Sequence, residues 1–272
     1  MRLLVIGDIV GRPGKHACSQ LVPRLIGERE IDFVIANAEN AAAGSGITPQ
    51  MFHKLRHYGI DVCTMGDHIY RRREIFPLLT SSDRIVRPAN FPPEAAGSEV
   101  AVVPARNGQL VAVFSLLGRT YMNVRADCPY HAADRVLKQL APAAKITVVD
   151  MHAETTSEKM ALGWYLDGRV TAVVGTHTHV QTADERVLPR GTAYITDLGM
   201  TGPYDSVLGR DKDAVVRSLV TGIPHPYDVA NDDARLCGVI IDADETTGRA
   251  RWIERLNLPD PQPVTAPSGA DE

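Results

Sequence analysis

Several features that mark whole classes of protein are scarce or missing in this sequence of 272 residues. Its four cysteines lie far apart and form no C-x-x-C pair, so the sequence predicts neither a disulfide framework nor a zinc knuckle. No apolar stretch approaches the roughly 18 residues that span a membrane, and the opening MRLLVI reaches Asp8 too soon for a signal peptide. We therefore expect a cytoplasmic protein that binds no membrane.

The sequence also lacks a net positive charge and two common enzyme signatures. The formal net charge is −4, so no overall charge attracts nucleic acid, and any recognition of phosphate must be local. The absence of a G-x-S-x-G motif disfavours a serine hydrolase. The segment GRPGK at 11–15 resembles a phosphate loop but lacks the Walker spacing, and we interpret it as the turn after the first strand.

Short apolar runs alternate with helical stretches along much of the chain. The runs that we predict as strands are Leu3–Ile6, Phe33–Ala36, Val62–Met65, Ile146–Val149, Val170–Val174 and Tyr194–Thr196. The predicted helices are Gln20–Glu28, Pro49–Tyr58 with Thr48 as its N-cap, Tyr130–Leu140 and Ser157–Leu166. This alternation indicates an α/β protein built in layers.

Four further strands form predicted antiparallel hairpins around turn residues. These strands are Glu99–Val103, Leu110–Ser115, Leu236–Asp242 and Arg249–Leu256. A sandwich of two mixed sheets flanked by helices fits them better than one doubly wound sheet does. We expect a single domain over residues 1–260 and a disordered tail over residues 261–272, which are rich in Pro, Ala, Asp and Gly.

Polar side chains follow five of the predicted strands at the point where each strand ends. The strand-end residues with metal-binding side chains include Asp8, Glu39, Asn40, Asp67, His68, Asp150, His152, His177 and His179. In open α/β sheets, ligands bind at the carboxyl ends of the strands. Taken singly, an acid there can be a helix cap and a histidine can be a packed core residue, but five coincidences at one edge favour a shared site.

Carboxylate oxygens and imidazole nitrogens without thiolate suit Mn, Fe or Zn. His177 and His179 are two residues apart, so on an extended segment they would point to the same side and reach two adjacent ions. A carboxylate such as that of Glu39 can bridge two ions. Two metal ions about 3.5–4 Å apart form a clamp for phosphoryl transfer, which predicts a hydrolase of phosphate esters.

The same motifs resemble an altered metallophosphoesterase signature, which runs D-x-H, G-D, G-N-H-D/E, H and G-H-x-H. Val10 replaces the histidine after Asp8, and Glu39-Asn40 stands where G-D is usual. These alterations are similar to those of the YmdB-like family of the calcineurin-like metallophosphoesterase superfamily. The likeness covers nearly the whole chain and includes GDIVGRPG (7–14), NAENAAAGSGIT (37–48), RPANFP (87–92), DMHAETTSEKMALGWYLDGRV (150–170), GTHTHVQTADERVLP (175–189) and TDLGMTGPYDSVLG (196–209).

The resemblance implies an α/β/β/α sandwich and hydrolysis of 2′,3′-cyclic nucleotides or related phosphodiesters by metal-activated hydroxide. It implies two divalent metal ions, iron or manganese, with zinc also suited to the ligand types. One ion would take Asp8, Glu39, Asn40 and His179. Glu39 would bridge to the second ion, which would also take Asp67, His152 and His177. His68 would be the catalytic proton donor to the leaving oxygen.

Alternatives within the same resemblance stay open. The same metals could serve a phosphomonoesterase or a nuclease, since the pocket walls choose the substrate, or the fold could bind a nucleotide or RNA for regulation with little turnover. Position 67 is usually Asn in the family and is Asp here, which adds a negative charge to the ligand set. The expected partners are a small phosphodiester or nucleotide, RNA ends, and further copies of the chain in a homo-oligomer.

Overall fold

The computed structural model describes residues 1–140 and 144–262. All but the first two residues of the predicted tail, 261–272, lie outside this range. The strands are β1 (Arg2–Ile6), β2 (Asp8–Ile9), β3 (Phe33–Asn37), β4 (Val62–Thr64), β5 (Ile85–Val86), β6 (Val100–Pro104), β7 (Leu110–Leu117), β8 (Ile146–His152), β9 (Ala172–Thr176), β10 (Arg186–Val187), β11 (Ala193–Ile195), β12 (Met200–Pro203), β13 (Ala234–Ala243) and β14 (Ala250–Pro259). The α-helices are α1 (Gly11–Glu28), α2 (Pro49–His57), α3 (Phe76–Ser81), α4 (Pro129–Leu140), α5 (Thr156–Leu166) and α6 (Lys212–Thr221).

The strands form two mixed sheets. The first has the order β2-β12-β13-β1-β3-β4-β5, with β14 paired to β13. The second has the order β10-β11-β9-β8-β7-β6. Strands β1, β3, β4 and β5 are parallel neighbours, as are β7, β8, β9 and β11. The hairpins β6–β7 and β13–β14 are antiparallel, which confirms the pairing predicted from their turns.

Alternate residues of each central strand face different layers. In β1, Leu3 and Val5 pack between the two sheets, whereas Leu4 and Ile6 pack against the helices of the first sheet. The same alternation divides β8 between the inter-sheet core and a third cluster that includes residues of α4 and α5. Helices α1 and α2 cover the first sheet and α4 and α5 the second, so the predicted α/β/β/α sandwich is confirmed.

The predicted starts of the first two helices differ in outcome. Helix α2 begins as predicted, because Thr48 Oγ1 accepts a hydrogen bond from the N–H of Met51 at 3.3 Å. Helix α1 begins at Gly11 rather than at Gln20, so the predicted turn at 11–15 is wrong. Pro13 is accommodated because the first helical turn needs no N–H donor there.

Parallel strands of both sheets end at the edge where the predicted site residues lie. Asp8 follows β1, Glu39 follows β3, and Asp67 follows β4 in the first sheet. His152 ends β8 and His177 follows β9 in the second. Among the described residues, no helix combines the length and apolar character needed to cross a bilayer.

Two glycines of α1 give a matched test of how this helix packs on β12. A Cβ at Gly14 would lie 2.2 Å from the carbonyl oxygen of Thr201, whereas a Cβ at Gly27 would meet nothing within 4 Å. We expect Gly14→Ala to lower the free energy of unfolding by about 1–3 kcal/mol through overpacking. Gly27→Ala should raise it by about 0.5–1 kcal/mol, because alanine is the better helix former. Urea unfolding measures both, and equal stability of the two variants would contradict the contact.

Candidate metal centre

Side chains from four strand ends converge on one point at this edge. They are Glu39, Asp67, His152 and His177, and their ligand atoms all lie within 4.8 Å of one another. His152 Nε2 lies 3.1 Å from Glu39 Oε1 and 3.2 Å from Asp67 Oδ1. His177 Nδ1 lies 3.1 Å from the same His152 nitrogen. We name these four residues the central cluster.

A chain of hydrogen bonds behind His152 fixes which ring nitrogen carries its proton. Thr176 Oγ1 donates to Asp150 Oδ1 at 2.6 Å, so this hydroxyl accepts the Nδ1–H of His152 at 2.8 Å. The other oxygen of the buried Asp150 accepts from Thr64 Oγ1 and Asn37 Nδ2. His152 therefore turns Nε2 to the central cluster, where this nitrogen can hold either a proton or a metal ion.

The His177 ring also turns one nitrogen towards the central cluster and the other towards a polar side chain outside it. Its Nε2 lies 3.1 Å from Glu154 Oε2, so this nitrogen faces an acidic side chain and Nδ1 faces the central cluster. His152 Nε2 and His177 Nδ1 then face each other beside the carboxylates of Glu39 and Asp67. Glu39 Oε1 is buried and accepts no hydrogen bond from any described residue. A positive charge relieves these repulsions, and the donor set fits a divalent transition-metal ion.

The pKa values of the central cluster reflect the same crowding. Burial and then the charge of neighbouring His152 lower the pKa of His177 to about 4, so the ring is neutral at pH 7. Burial disfavours a charged His152, but the carboxylates of Glu39 and Asp67 raise its pKa well above the ordinary value. Burial also disfavours ionised Asp67, yet its contacts with His152 hold its pKa below the ordinary value. The cluster therefore attracts positive charge at neutral pH.

A second group lies beside the central cluster and consists of Asp8, Asn40 and His179. His179 Nε2 lies 3.7 Å from Asp8 Oδ1 and 3.2 Å from Asn40 Nδ2. Burial raises the pKa of Asp8 to about 6, and the carboxylate of Glu39 contributes to that rise. Glu39 belongs to the central cluster by distance, and its bridging role stays a prediction.

Asn40 and His68 lie next to each other at the exposed side of the site. Asn40 Oδ1 lies 2.8 Å from His68 Nδ1, so the amide turns its oxygen to His68 and its nitrogen to Asp8. A metal ligand presents oxygen instead, and a half-turn of the amide exchanges the two atoms. A ligand role for Asn40 therefore stays a prediction.

His68 differs from the other histidines of the site in its exposure. Its side chain is 26% exposed, whereas that of His152 is fully buried. His68 Nε2 lies 3.6 Å from Asp67 Oδ2, and its backbone N–H donates to Glu39 Oε2 at 3.1 Å. The ring is thus beside the central cluster but on its accessible side, as a proton donor to a bound substrate must be.

The segment His177–His179 is not extended, so the expectation drawn from its two-residue spacing is wrong. His177 has φ +91° and His179 has φ +63°, both in the left-handed region. The chain turns directly after β9, where the N–H of His177 donates to Asp8 Oδ2 at 3.1 Å. As a result, one ring joins the central cluster and the other joins the second group.

The two sheets supply different ligand types. The first sheet's strand ends carry the carboxylates and the amide, namely Asp8, Glu39, Asn40 and Asp67. The second sheet's strand ends carry the three imidazoles, His152, His177 and His179. All seven predicted ligands are brought to one edge, in two adjoining groups.

Sequence reasoning missed the residues that orient these side chains. Asp150 lies two residues before His152 on β8, so the strand period places both on one side, and this signal was available. Thr176 and Glu154 gave no comparable signal, because their contacts join segments distant in the sequence. These residues are polar groups behind the ligands rather than ligands.

Comparison with known proteins agrees with the resemblance seen in the motifs. The model of the family described as YmdB-like protein matches residues 4–256. The chain is 47% identical over 260 residues to a 2′,3′-cyclic-nucleotide 2′-phosphodiesterase of Bacillus subtilis, covering 96% of this chain and 98% of that protein.

Two solved structures extend the agreement to the fold. One is a hypothetical protein from Thermus thermophilus, with a TM-score of 0.89 and 38% identity, covering 96% of this chain and 100% of that one. The other is described as a novel phosphatase from Mycoplasma pneumoniae, with a TM-score of 0.88 and 30% identity over 96% and 95% of the two chains. The chain therefore belongs to the YmdB-like protein family.

Proposed function

We propose that this protein is a metal-dependent phosphodiesterase that hydrolyses 2′,3′-cyclic nucleotides or related phosphodiesters. The observation that carries the proposal is the central cluster, in which two imidazole nitrogens and two carboxylates converge and the buried Glu39 Oε1 accepts no hydrogen bond from any described residue. The name of the Bacillus subtilis relative supports the substrate class. The expected cofactors are two divalent ions of Fe or Mn, with Zn also suited to these ligands.

Each candidate ligand has a place in this proposal. Asp67, His152 and His177 would hold one ion and Asp8, Asn40 and His179 the other. Glu39 would be shared by the two ions. When bound, two such metal ions supply an activated hydroxide and neutralise charge on the phosphate.

The chain's own residues then control geometry and proton transfer. Asp150, acting through Thr176, orients the His152 ring, and Glu154 lies against the outer nitrogen of the His177 ring, so that the other nitrogen of each faces the proposed metal site. His68 Nδ1 faces Asn40 and, at 3.4 Å, Glu39 Oε1, which leaves Nε2 for the leaving oxygen. A proton held there in the imidazolium form can pass to the departing alcohol, an effect worth about 10²–10⁴-fold in rate.

An assay with defined substrates decides whether the protein hydrolyses phosphodiesters or phosphomonoesters. The Mycoplasma pneumoniae relative is described as a phosphatase, which keeps phosphomonoester hydrolysis as a second candidate. A panel of 2′,3′-cyclic nucleotides, nucleoside monophosphates and short RNA ends, assayed with and without Mn²⁺, separates these activities. Binding of nucleotides without turnover would instead favour a regulatory protein.

We expect about two transition-metal ions per chain in protein purified without chelator. Elemental analysis should find Fe, Mn or Zn, and treatment with EDTA should remove the metal together with the activity. Adding Mn²⁺ back should restore both. A well-folded preparation that accepts only traces of metal would contradict the proposal.

His68→Ala should keep its metal content but lose about 10²–10⁴-fold in turnover of substrates with alkoxide leaving groups. The loss should be much smaller for a nitrophenyl ester, because nitrophenolate leaves without protonation. His53→Ala, at an exposed position in α2, is the control and should be unaffected. Equal losses for both kinds of leaving group would rule out the acid role, and loss of metal would make His68 a ligand.

Asp67→Asn should stay active and bind metal more weakly at the central cluster. The amide keeps an oxygen at nearly the same place but removes one of three ligand charges, the others being those of Asp8 and Glu39. With less charge donated, the ions should polarise water and phosphate more strongly, so saturated turnover should hold or rise and the acidic limb of the pH–rate profile should move to lower pH.

Metal titrations of activity and pH–rate profiles at saturation measure these changes. Asp134→Asn removes an acid from the surface of α4 and controls for net charge. If the Asp67 variant binds metal more tightly, or is inactive when fully loaded, Asp67 acts as a base or a substrate contact instead.

A further inference from the structure

A fully buried ion pair lies behind the candidate metal centre. Lys159 Nζ of α5 lies 2.7 Å from Asp197 Oδ2, in the segment after β11, and the two side chains are 0% and 1% exposed. Burying two charges costs desolvation that their attraction often fails to recover, and apolar replacements are frequently as stable. The pair is therefore weak evidence for a role in stability, and its contacts point elsewhere.

Thr178 is the third member of this arrangement. Its hydroxyl donates to Asp197 Oδ2 at 2.5 Å and accepts from Lys159 Nζ at 2.9 Å. Its backbone N–H donates to the same Asp197 oxygen at 3.3 Å. The other Asp197 oxygen accepts the N–H of Gly199 at 2.7 Å, so the carboxylate is held at both ends. Thr178 is thus fixed by one side chain from each of two segments.

The path of Lys159 to this position depends on the glycine before the histidines. A Cβ at Gly175 would lie 2.8 Å from Lys159 Cδ and 1.7 Å from the carbonyl oxygen of Thr196. No larger residue fits there without displacing the lysine stem and the neighbouring strand. The motif G-T-H-T-H therefore contains, at Gly175 and Thr178, two residues that serve the ion pair rather than the metal.

Thr178 separates the two histidines that have left-handed backbone. Such a conformation is strained for a non-glycine residue, so two of them within three residues persist only if the surroundings enforce them. His177 is held by its N–H bond to Asp8, and His179 by the contact of its Nδ1 with the carbonyl oxygen of Leu208 at 3.1 Å. Thr178 supplies the fixed point between them.

We propose that Lys159 and Asp197 are positioning residues that act through Thr178 to hold the His177 and His179 rings in place, one in each ligand group. The inference rests on the proposed metal binding, but not on the identity of the substrate. Without the anchor, the segment relaxes towards extended backbone and both rings leave their groups. Loss of the anchor should therefore weaken metal binding itself, and with it the activity at low metal concentration.

Thr178→Val tests this with little change of shape, because it replaces only the hydroxyl by a methyl group. Thr171→Val is the matched control, since Thr171 lies just before the other end of β9 and its buried hydroxyl donates to Gly248 and accepts from the N–H of Thr147. Both variants lose buried hydrogen bonds, so both should unfold at a lower temperature. Thr178→Ser keeps the hydroxyl and should restore wild-type behaviour.

The decisive measurement is the Mn²⁺ dissociation constant of each variant, determined by competition with a chelator, together with the absorption spectrum of the Co²⁺-loaded protein. We expect Thr178→Val to bind about 10–100-fold more weakly, as is usual when a group behind a ligand is lost, and to show an altered Co²⁺ spectrum. Thr171→Val should match the wild type in both. Lys159→Met, if the variant folds, should behave like Thr178→Val.

The outcomes separate this inference from the proposed function. If the wild type binds metal and Thr178→Val binds it equally well with an unchanged spectrum, the ion pair is only structural and the inference is overturned. If Thr171→Val weakens binding as much, the effect is general destabilisation, and the inference is overturned as well. If the wild type itself binds no metal, the proposed function fails and this inference fails with it.

Discussion

Apolar side chains between the two sheets fix how the strand ends of one sheet face those of the other. Alternate residues of β1 and β8 fill this layer, so a slip of either strand by one residue would exchange these side chains with those that pack against the helices. The ligand groups depend on that register, because their carboxylates come from one sheet and their imidazoles from the other. A slip in one sheet would therefore separate carboxylates from imidazoles throughout the site.

Three buried carboxylates near this edge are accommodated in three different ways. Asp197 is paired with Lys159, which brings a full positive charge. Asp150 accepts hydrogen bonds from neutral donors on both oxygens, and burial raises its pKa. Glu39 has one oxygen that accepts nothing from any described residue, although it lies beside two histidines. This contrast is one reason why Glu39 has a place in the proposed metal site.

The local sequence pattern was sufficient to predict the layers and to place the candidate ligands near strand ends, because each candidate lies within a few residues of the end of an apolar run. It failed at the start of α1, where Gly11, Pro13 and Gly14 weigh against a helix until β12 is present to pack on it. It also missed α6, although cap signals stand at both ends of that helix. Lys159 and Asp197 are 38 residues apart, and no local pattern announces that such a pair will meet.

The candidate ligands are sorted by chemical type along the chain. The acidic and amide groups, from Asp8 to Asp67, all precede the imidazoles, which run from His152 to His179. A chain leaving the ribosome therefore exposes the oxygen ligands long before the nitrogen ligands exist. Oxygen ligands alone suit hard ions such as Mg²⁺ and Ca²⁺, whereas imidazole brings the preference for transition metals. Selection among cellular metals is thus a property of the finished fold and not of the nascent chain.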